Sequence, residues 1–290
     1  MSLELCVLAS GSSGNCSMVR ARGGVVLIDA GIGPRTTAKR MAGSGVTLAD
    51  VKAICLTHLD SDHFSAHWIQ TVVRFGIRVY CCATRVDNVI RRAEFDGGDL
   101  NGADAFARLI FPFDREPFDV LPGVTLRPLR FAHDREGSHG FVVEGPGCRI
   151  GYATDLGRVP VTLIEDFCDL DVLAIESNYD PAMQQTSGRP VFLQQRIMGG
   201  KGHLSNQQAF DAIRTILDRC DRAAMRLPSH IVLLHRSRQC NCPKLVRQFF
   251  SRDARIAPRL TLAEQFAPSG WLKVRDRAPL AGEQLSLAWG

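Results

Sequence analysis

No stretch of this sequence is long and apolar enough to span a bilayer. Its start, MSLELCVLASGSSGN, lacks the basic segment, apolar run and small-residue cleavage site of a secretory leader. Together these absences predict a soluble, cytoplasmic protein with no membrane partner. The chain also lacks internal repeats, low-complexity tracts and an obvious linker, which argues against a solenoid or a disordered array. Its ten cysteines, at 6, 16, 55, 81, 82, 148, 168, 220, 240 and 242, form no pair of C-x-x-C knuckles. Free thiols are therefore expected rather than a disulfide framework, and the lone Cys240-x-Cys242 reads as structural. Strong charge is missing too: 35 basic against 30 acidic residues leave a net +5. That excess is compatible with an anionic partner but does not require one. The glycine-rich SGSSGN lacks G-x-G-x-x-G spacing, so it reads as a tight hairpin turn followed by a strand pattern, not a nucleotide loop.

What is present is a core-forming composition, 45% hydrophobic over 290 residues, compatible with one large layered α/β domain spanning residues 1–290. Strands are predicted over 3–9, 25–29, 53–56, 78–82, 124–130, 141–144, 149–153, 172–176 and 230–234. Helices are predicted over 34–42, 66–75, 85–94, 160–167, 205–219 and 243–249. Between Asp96 and Asp119 the pattern loosens, with Gly97-Gly98 and FPFDREPF suggesting loop and edge strand. Strands joined first by hairpins and then by helices imply sheets packed together and covered by helices.

The chemistry concentrates in Thr57-His58-Leu59-Asp60-Ser61-Asp62-His63, where two imidazoles and two carboxylates follow a buried-looking strand. Such groups in one loop repel or stay poorly solvated unless a cation gathers them. Helix capping would use one carboxylate and would explain neither histidine. Further ligands are expected at strand ends, where His133, Asp155 and His235 stand. Gly199-Gly200-Lys201-Gly202-His203 precedes an amphipathic helix with Ser205 as its N-cap, and its backbone N–H groups with Lys201 suit a phosphate. His203 reads either as a leaving-group proton donor or phosphate ligand, or as a loop-stabilising histidine. Arg85, Arg91 and Arg92 read as a solvated helix face, and Arg189 and Arg196 join Lys201 in a loose basic cluster. Arg236, with Ser237 and Arg238, follows the last candidate ligand. Lys201, Ser205, Arg236 and Ser237 are thus the candidate substrate-binding residues, while His67, His139 and His230 default to structure.

This order of residues resembles the metallo-β-lactamase superfamily, whose pattern is H-x-H-x-D-H, then His, Asp and a last His. LASGSSGN, LIDAG at 27–31, ESNYD at 176–180, GHLSN at 202–206 and LLHRSRQCN at 233–241 are similar to its YycJ/WalJ-like exonuclease branch. The resemblance implies an αββα four-layer sandwich of two mixed β-sheets flanked by helices. It implies one metal on His58, Asp60 and His133, a second on Asp62, His63 and His235, and Asp155 bridging them. It also implies 5′-to-3′ exonuclease action on DNA ends. Two divalent ions, zinc, manganese or iron, about 3.5–4 Å apart would generate a bridging hydroxide for a phosphodiester. Asp62 would bind metal and orient that hydroxide. Asp60 departs from the family's histidine, and Cys240-Asn241 from its Asn-Asn. With Asp60 as ligand, three carboxylates and a hydroxide balance two divalent ions and favour manganese or iron relative to zinc. Two other readings stay open: a small-molecule ester, thioester or lactone hydrolase, and a non-catalytic metal centre. Only 80 positions separate Asp155 from His235, which argues against the inserted domain of many RNA-processing relatives.

Overall fold

A computed structural model describes residues 3–96 and 100–274. The Gly97-Gly98 loop reading lies outside the described residues. The chain builds two seven-stranded sheets. In the first, β1 (Glu4–Ala9), β2 (Cys16–Ala21) and β3 (Gly24–Ile28) form an antiparallel meander, and β4 (Val51–Cys55), β5 (Arg78–Cys82) and β6 (Ile110–Phe113) continue it in parallel. The second sheet repeats the plan. Strands β7 (Phe118–Leu121), β8 (Val124–Phe131), β9 (Ser138–Gly145) and β10 (Cys148–Ala153) run antiparallel, and β11 (Val172–Glu176), β12 (His230–Leu234) and β13 (Leu260–Leu262) follow in parallel. A two-residue strand β14 (Leu272–Lys273) closes the outer side of β1.

Side-chain alternation along these strands produces the layers. In β1, Leu5 and Val7 enter the core between the sheets, while Cys6 and Leu8 enter the outer core of the first sheet. In β11 and β12, Val172, Ala174, Val232 and Leu234 face inward, and Leu173, Ile175, Ile231 and Leu233 face the outer helices. Strands buried on both faces read as continuous apolar runs, which is why the sequence shows them so clearly. Helices α1 (Pro34–Met41), α2 (Ile69–Phe75), α3 (Val86–Asp96) and α4 (Leu100–Ala107) follow strands of the first sheet. Helices α5 (Val161–Asp166), α6 (Pro181–Gln185), α7 (Val191–Met198), α8 (Asn206–Arg222) and α9 (Pro243–Phe250) follow strands of the second. The architecture is the αββα sandwich of two mixed sheets.

Two departures from the sequence reading, the helix α4 and the helices α6 and α7, have local causes. The loosened stretch contains α4, whose LNGADAFA sets the weak helix formers Asn101, Gly102 and Asp104 among strong ones and is secured by burial of Ala103 and Phe106. FPFDREPF holds the loop and edge-strand character read for it: it begins in β6, an edge of the first sheet, and crosses by a loop to β7, an edge of the second. The sequence pattern predicts neither α6 nor α7; the signal for α6 is Asp180-Pro181, where Asp180 caps by accepting from the Met183 N–H at 2.9 Å. Among the described residues, no helix is long and apolar enough to cross a membrane.

Candidate metal centre

The candidate residues converge where β4, β8, β10, β11 and β12 end. The Thr57–His63 loop is held from outside by Asp29, whose carboxylate accepts from the Thr57 N–H at 2.9 Å and from its hydroxyl at 3.0 Å. It is held from beneath by Asn15, whose N–H donates to the Asp62 carbonyl at 2.7 Å, and by Ala30, whose N–H donates to that of His63 at 2.8 Å. Gly31 of LIDAG packs so closely that a Cβ there would lie 1.7 Å from the Asp62 carbonyl oxygen, so only glycine fits. Four of the six non-glycine residues with left-handed φ among the described residues, Asp29, Asp134, Asp155 and His235, lie in or beside the cluster. Backbone strain of this kind is held where the surroundings over-determine it.

Each of four histidines has Nδ1 engaged. His58 Nδ1 lies 3.0 Å from the Thr57 hydroxyl, and His63 Nδ1 lies 2.8 Å from the Asp29 carboxylate. His133 Nδ1 lies 2.9 Å from the Gly202 carbonyl, and His235 Nδ1 lies 3.0 Å from Glu176 Oε1. An engaged Nδ1 fixes ring orientation and leaves Nε2 for a metal. The Nε2 atoms face carboxylates: His58 to Asp60 at 3.7 Å, His63 to Asp155 at 3.0 Å and to Asp62 at 3.7 Å, and His235 to Asp62 at 3.6 Å. One donor atom each from His58, Asp60 and His133 lies within 4.8 Å of the others, as do those of Asp62, His63 and His235 and those of His58, His63 and Asp155. A further group joins Asp155, Glu176, His203 and His235.

These residues fit divalent metal. The His235 Nε2 atom is buried without a hydrogen-bond partner, and imidazole nitrogens with carboxylate oxygens are a donor set for first-row divalent ions. Without cations the electrostatics are tightly linked. Burial works against a charged His203 ring, yet Glu176 and Asp155 outweigh it and hold its pKa at about 10. Burial likewise opposes charge on His235, and Asp155, Asp62 and Glu176 raise it to about 9. Burial alone would raise Asp155, but His235, His63 and His203 hold it well below the usual carboxylate range. For His58 burial and the neighbouring His63 push the same way, keeping its ring neutral.

The cluster floors a cavity of about 500 Å³ that also reaches Ser12, Arg189, Ser237 and Gln239. An adjoining cleft of about 700 Å³ brings in Lys201, and Arg196, which pairs with Asp134, lines both spaces. His203 lies in the cavity wall, its Nδ1 2.8 Å from Glu176 Oε1 and 3.2 Å from Asp155 Oδ1. Ser205 does not line either space: its hydroxyl caps α8, accepting from the Gln208 N–H at 3.2 Å. Arg236 also turns away, pairing with Glu264 at 2.7 Å. Arg85, read as part of a solvated face, instead lines the cleft and pairs with Glu136. Arg92 braces the metal loop through the carbonyls of Leu59 and Phe64. Cys240 is buried against Tyr179 and Ile197, away from the donors. The structure adds Asp29 and Glu176, which orient histidines, and Asn178, whose side chain donates to the His235 carbonyl at 2.6 Å. Their only sequence signal was membership of LIDAG and ESNYD.

Comparison with known proteins agrees with this geometry. The family model described as the beta-lactamase superfamily domain matches residues 25–231. An exodeoxyribonuclease YycJ of Bacillus anthracis is 23% identical over 252 residues, covering 87% of this chain and 89% of the relative. An exodeoxyribonuclease WalJ of Streptococcus pneumoniae is 25% identical over 241 residues, covering 82% and 83%. Among solved structures, a diphosphatase of the PhnP family aligns with a TM-score of 0.63 at 17% identity, over 92% of this chain and 96% of its own. Human tRNase Z, short form, aligns with a TM-score of 0.62 at 19% identity, over 94% and 99%. The fold, the clustered donors and a family match over well over half of its length together establish that this chain belongs to the metallo-β-lactamase superfamily, as a metal-dependent hydrolase similar to the YycJ exonucleases.

Proposed function

We propose that the chain is a dinuclear metal-dependent phosphodiesterase that removes nucleotides from DNA ends in the 5′-to-3′ direction, working in the cytoplasm as one domain over residues 1–290. The observation that carries the two-metal part is the set of four histidines with engaged Nδ1 and inward Nε2, interleaved with Asp60, Asp62 and Asp155. In this reading His58, Asp60 and His133 would hold one ion, Asp62, His63 and His235 the other, and Asp155 would serve both. Two divalent cations bound there would acidify a water and neutralise charge developing on phosphoryl oxygens. Asp62, 23% exposed at its side chain, keeps an oxygen to orient and deprotonate the attacking water. His203 holds its Nδ1 proton toward Glu176, which leaves the Nε2 proton for the departing oxygen. Lys201 and Ser237 remain substrate contacts, and Arg196 joins them from the cleft wall.

The nucleic-acid part is supported by the two exodeoxyribonuclease relatives and by arginine and lysine on the cleft walls. A test supplies purified protein with end-labelled single- and double-stranded DNA over manganese, zinc, iron and magnesium, beside thioester, lactone and β-lactam substrates. Stepwise loss of 5′ nucleotides is the expected outcome. Faster turnover of any of the small substrates than of DNA and RNA would overturn the reading.

A further inference from the structure

Helix α7 carries the most exposed large apolar side chains among the described residues apart from Val161: Val191 at 67% and Phe192 at 72%. The helix is not loose. Leu193 and Ile197 pack with Tyr179 and Cys240, and the Gln194 side chain donates to the Arg189 carbonyl at 2.8 Å. On a helix, residues three and four apart share a face. Gln195, Arg196 and Gly199 line the cleft beside the metal cluster, so Phe192 extends that same face outward by one turn. The cleft is lined by Arg85, Arg135, Arg196 and Lys201 and also by Asp60, Asp134 and Glu136; Glu136 pairs with Arg85 and Asp134 with Arg196, which leaves Arg135 and Lys201 as its cations without an ion-pair partner among the described residues. An aromatic standing clear of the core beside a cleft that keeps unpaired cations is an arrangement suited to unpaired nucleic acid, the cations following phosphates and the ring taking a base face.

We propose that Phe192 is a stacking platform for an unpaired base of a single-stranded nucleic acid whose phosphates run along the α7 wall toward the metal cluster. The inference rests on the phosphodiesterase reading and adds strandedness to it: the bound end is single-stranded where it enters. Because stacking is indifferent to base identity, the contact confers affinity without sequence preference.

The test uses full-length wild type, Phe192→Ala and Phe192→Tyr with a fluorescein-labelled single-stranded oligonucleotide carrying phosphorothioate linkages, and with the same strand made abasic throughout. Anisotropy gives Kd, and an ordinary labelled strand gives KM and kcat. Phe192→Ala is expected to raise Kd and KM for the normal strand on the order of 10-fold, with kcat kept. Phe192→Tyr should restore both constants, and the abasic strand should bind all three proteins alike. Equal Kd for the three proteins on the normal strand would overturn the proposal while leaving cleavage intact. So would a Phe192→Ala effect confined to self-association of the protein in sedimentation, which would make the patch a protein contact. A wild type that binds no strand would overturn the phosphodiesterase reading, and this inference with it.

Discussion

His63 and Asp29 face each other wholly buried, ring Nδ1 to carboxylate at 2.8 Å, across the gap between the metal loop and the end of β3. Nothing else in the site shows so directly how a residue outside the donor cluster sets a donor's direction. Asp29 also receives both Thr57 groups, so a single carboxylate aligns the loop and one ring.

Asp29→Asn tests that arrangement. Asparagine tolerates the left-handed backbone that Asp29 adopts at φ 61°, so the fold is expected to survive. The lost charge weakens the hold on His63, and metal affinity should fall on the order of 10- to 100-fold. Chelator competition measures it. Unchanged affinity would mean that His63 needs no such support.

His203→Ala should lower kcat on a strand by at least on the order of 10²-fold if the ring supplies the leaving-group proton. A substrate with a p-nitrophenol leaving group should recover most of the loss. Equal losses on good and poor leaving groups would assign His203 to binding instead.

Asp60 is more than half exposed, yet its carboxylate lies 3.7 Å from His58 Nε2. Replacing it with the histidine usual in the superfamily removes one negative charge and one hard oxygen donor. Asp60→His should therefore lower the ratio of manganese-supported to zinc-supported activity. A ratio and a metal count that do not move would remove Asp60 from the ligand set.

A pH prediction comes from outside the metal cluster. His139 is buried edge-on against Phe113, and burial, the largest cause, lowers its pKa to about 4. Between its ordinary value, about 6.5, and 4, the unfolded chain takes a proton that the folded ring refuses. Stability should thus fall as pH drops through that window, by on the order of 2–3 kcal/mol, and level off below it. Urea midpoints of wild type and His139→Leu at pH 7 and pH 4.5 provide the check. Parallel acid losses in the two proteins would place the sensitivity elsewhere.

The parts of this molecule legible in sequence are those where a local pattern carries the information. Apolar strands buried on both faces, the Thr57–His63 loop and the Ser205 cap all announce themselves within a few residues. Glu176 did not, because the last residue of a buried strand reads as core until β12 and the His203 loop are brought beside it. Arg236 misled for the opposite reason: adjacency to His235 in sequence does not place a side chain in the cavity, and its partner Glu264 comes from a segment 28 residues away. Helix α7 was hidden because a short helix anchored by two apolar residues has little periodicity to show.

The most direct test of the two-metal account is a titration of the stripped protein. Chelated enzyme should cleave no end-labelled DNA, and manganese added back should restore cleavage in step with uptake of two ions per chain. Full activity in the stripped protein, or full activity reached at one ion per chain, would contradict it.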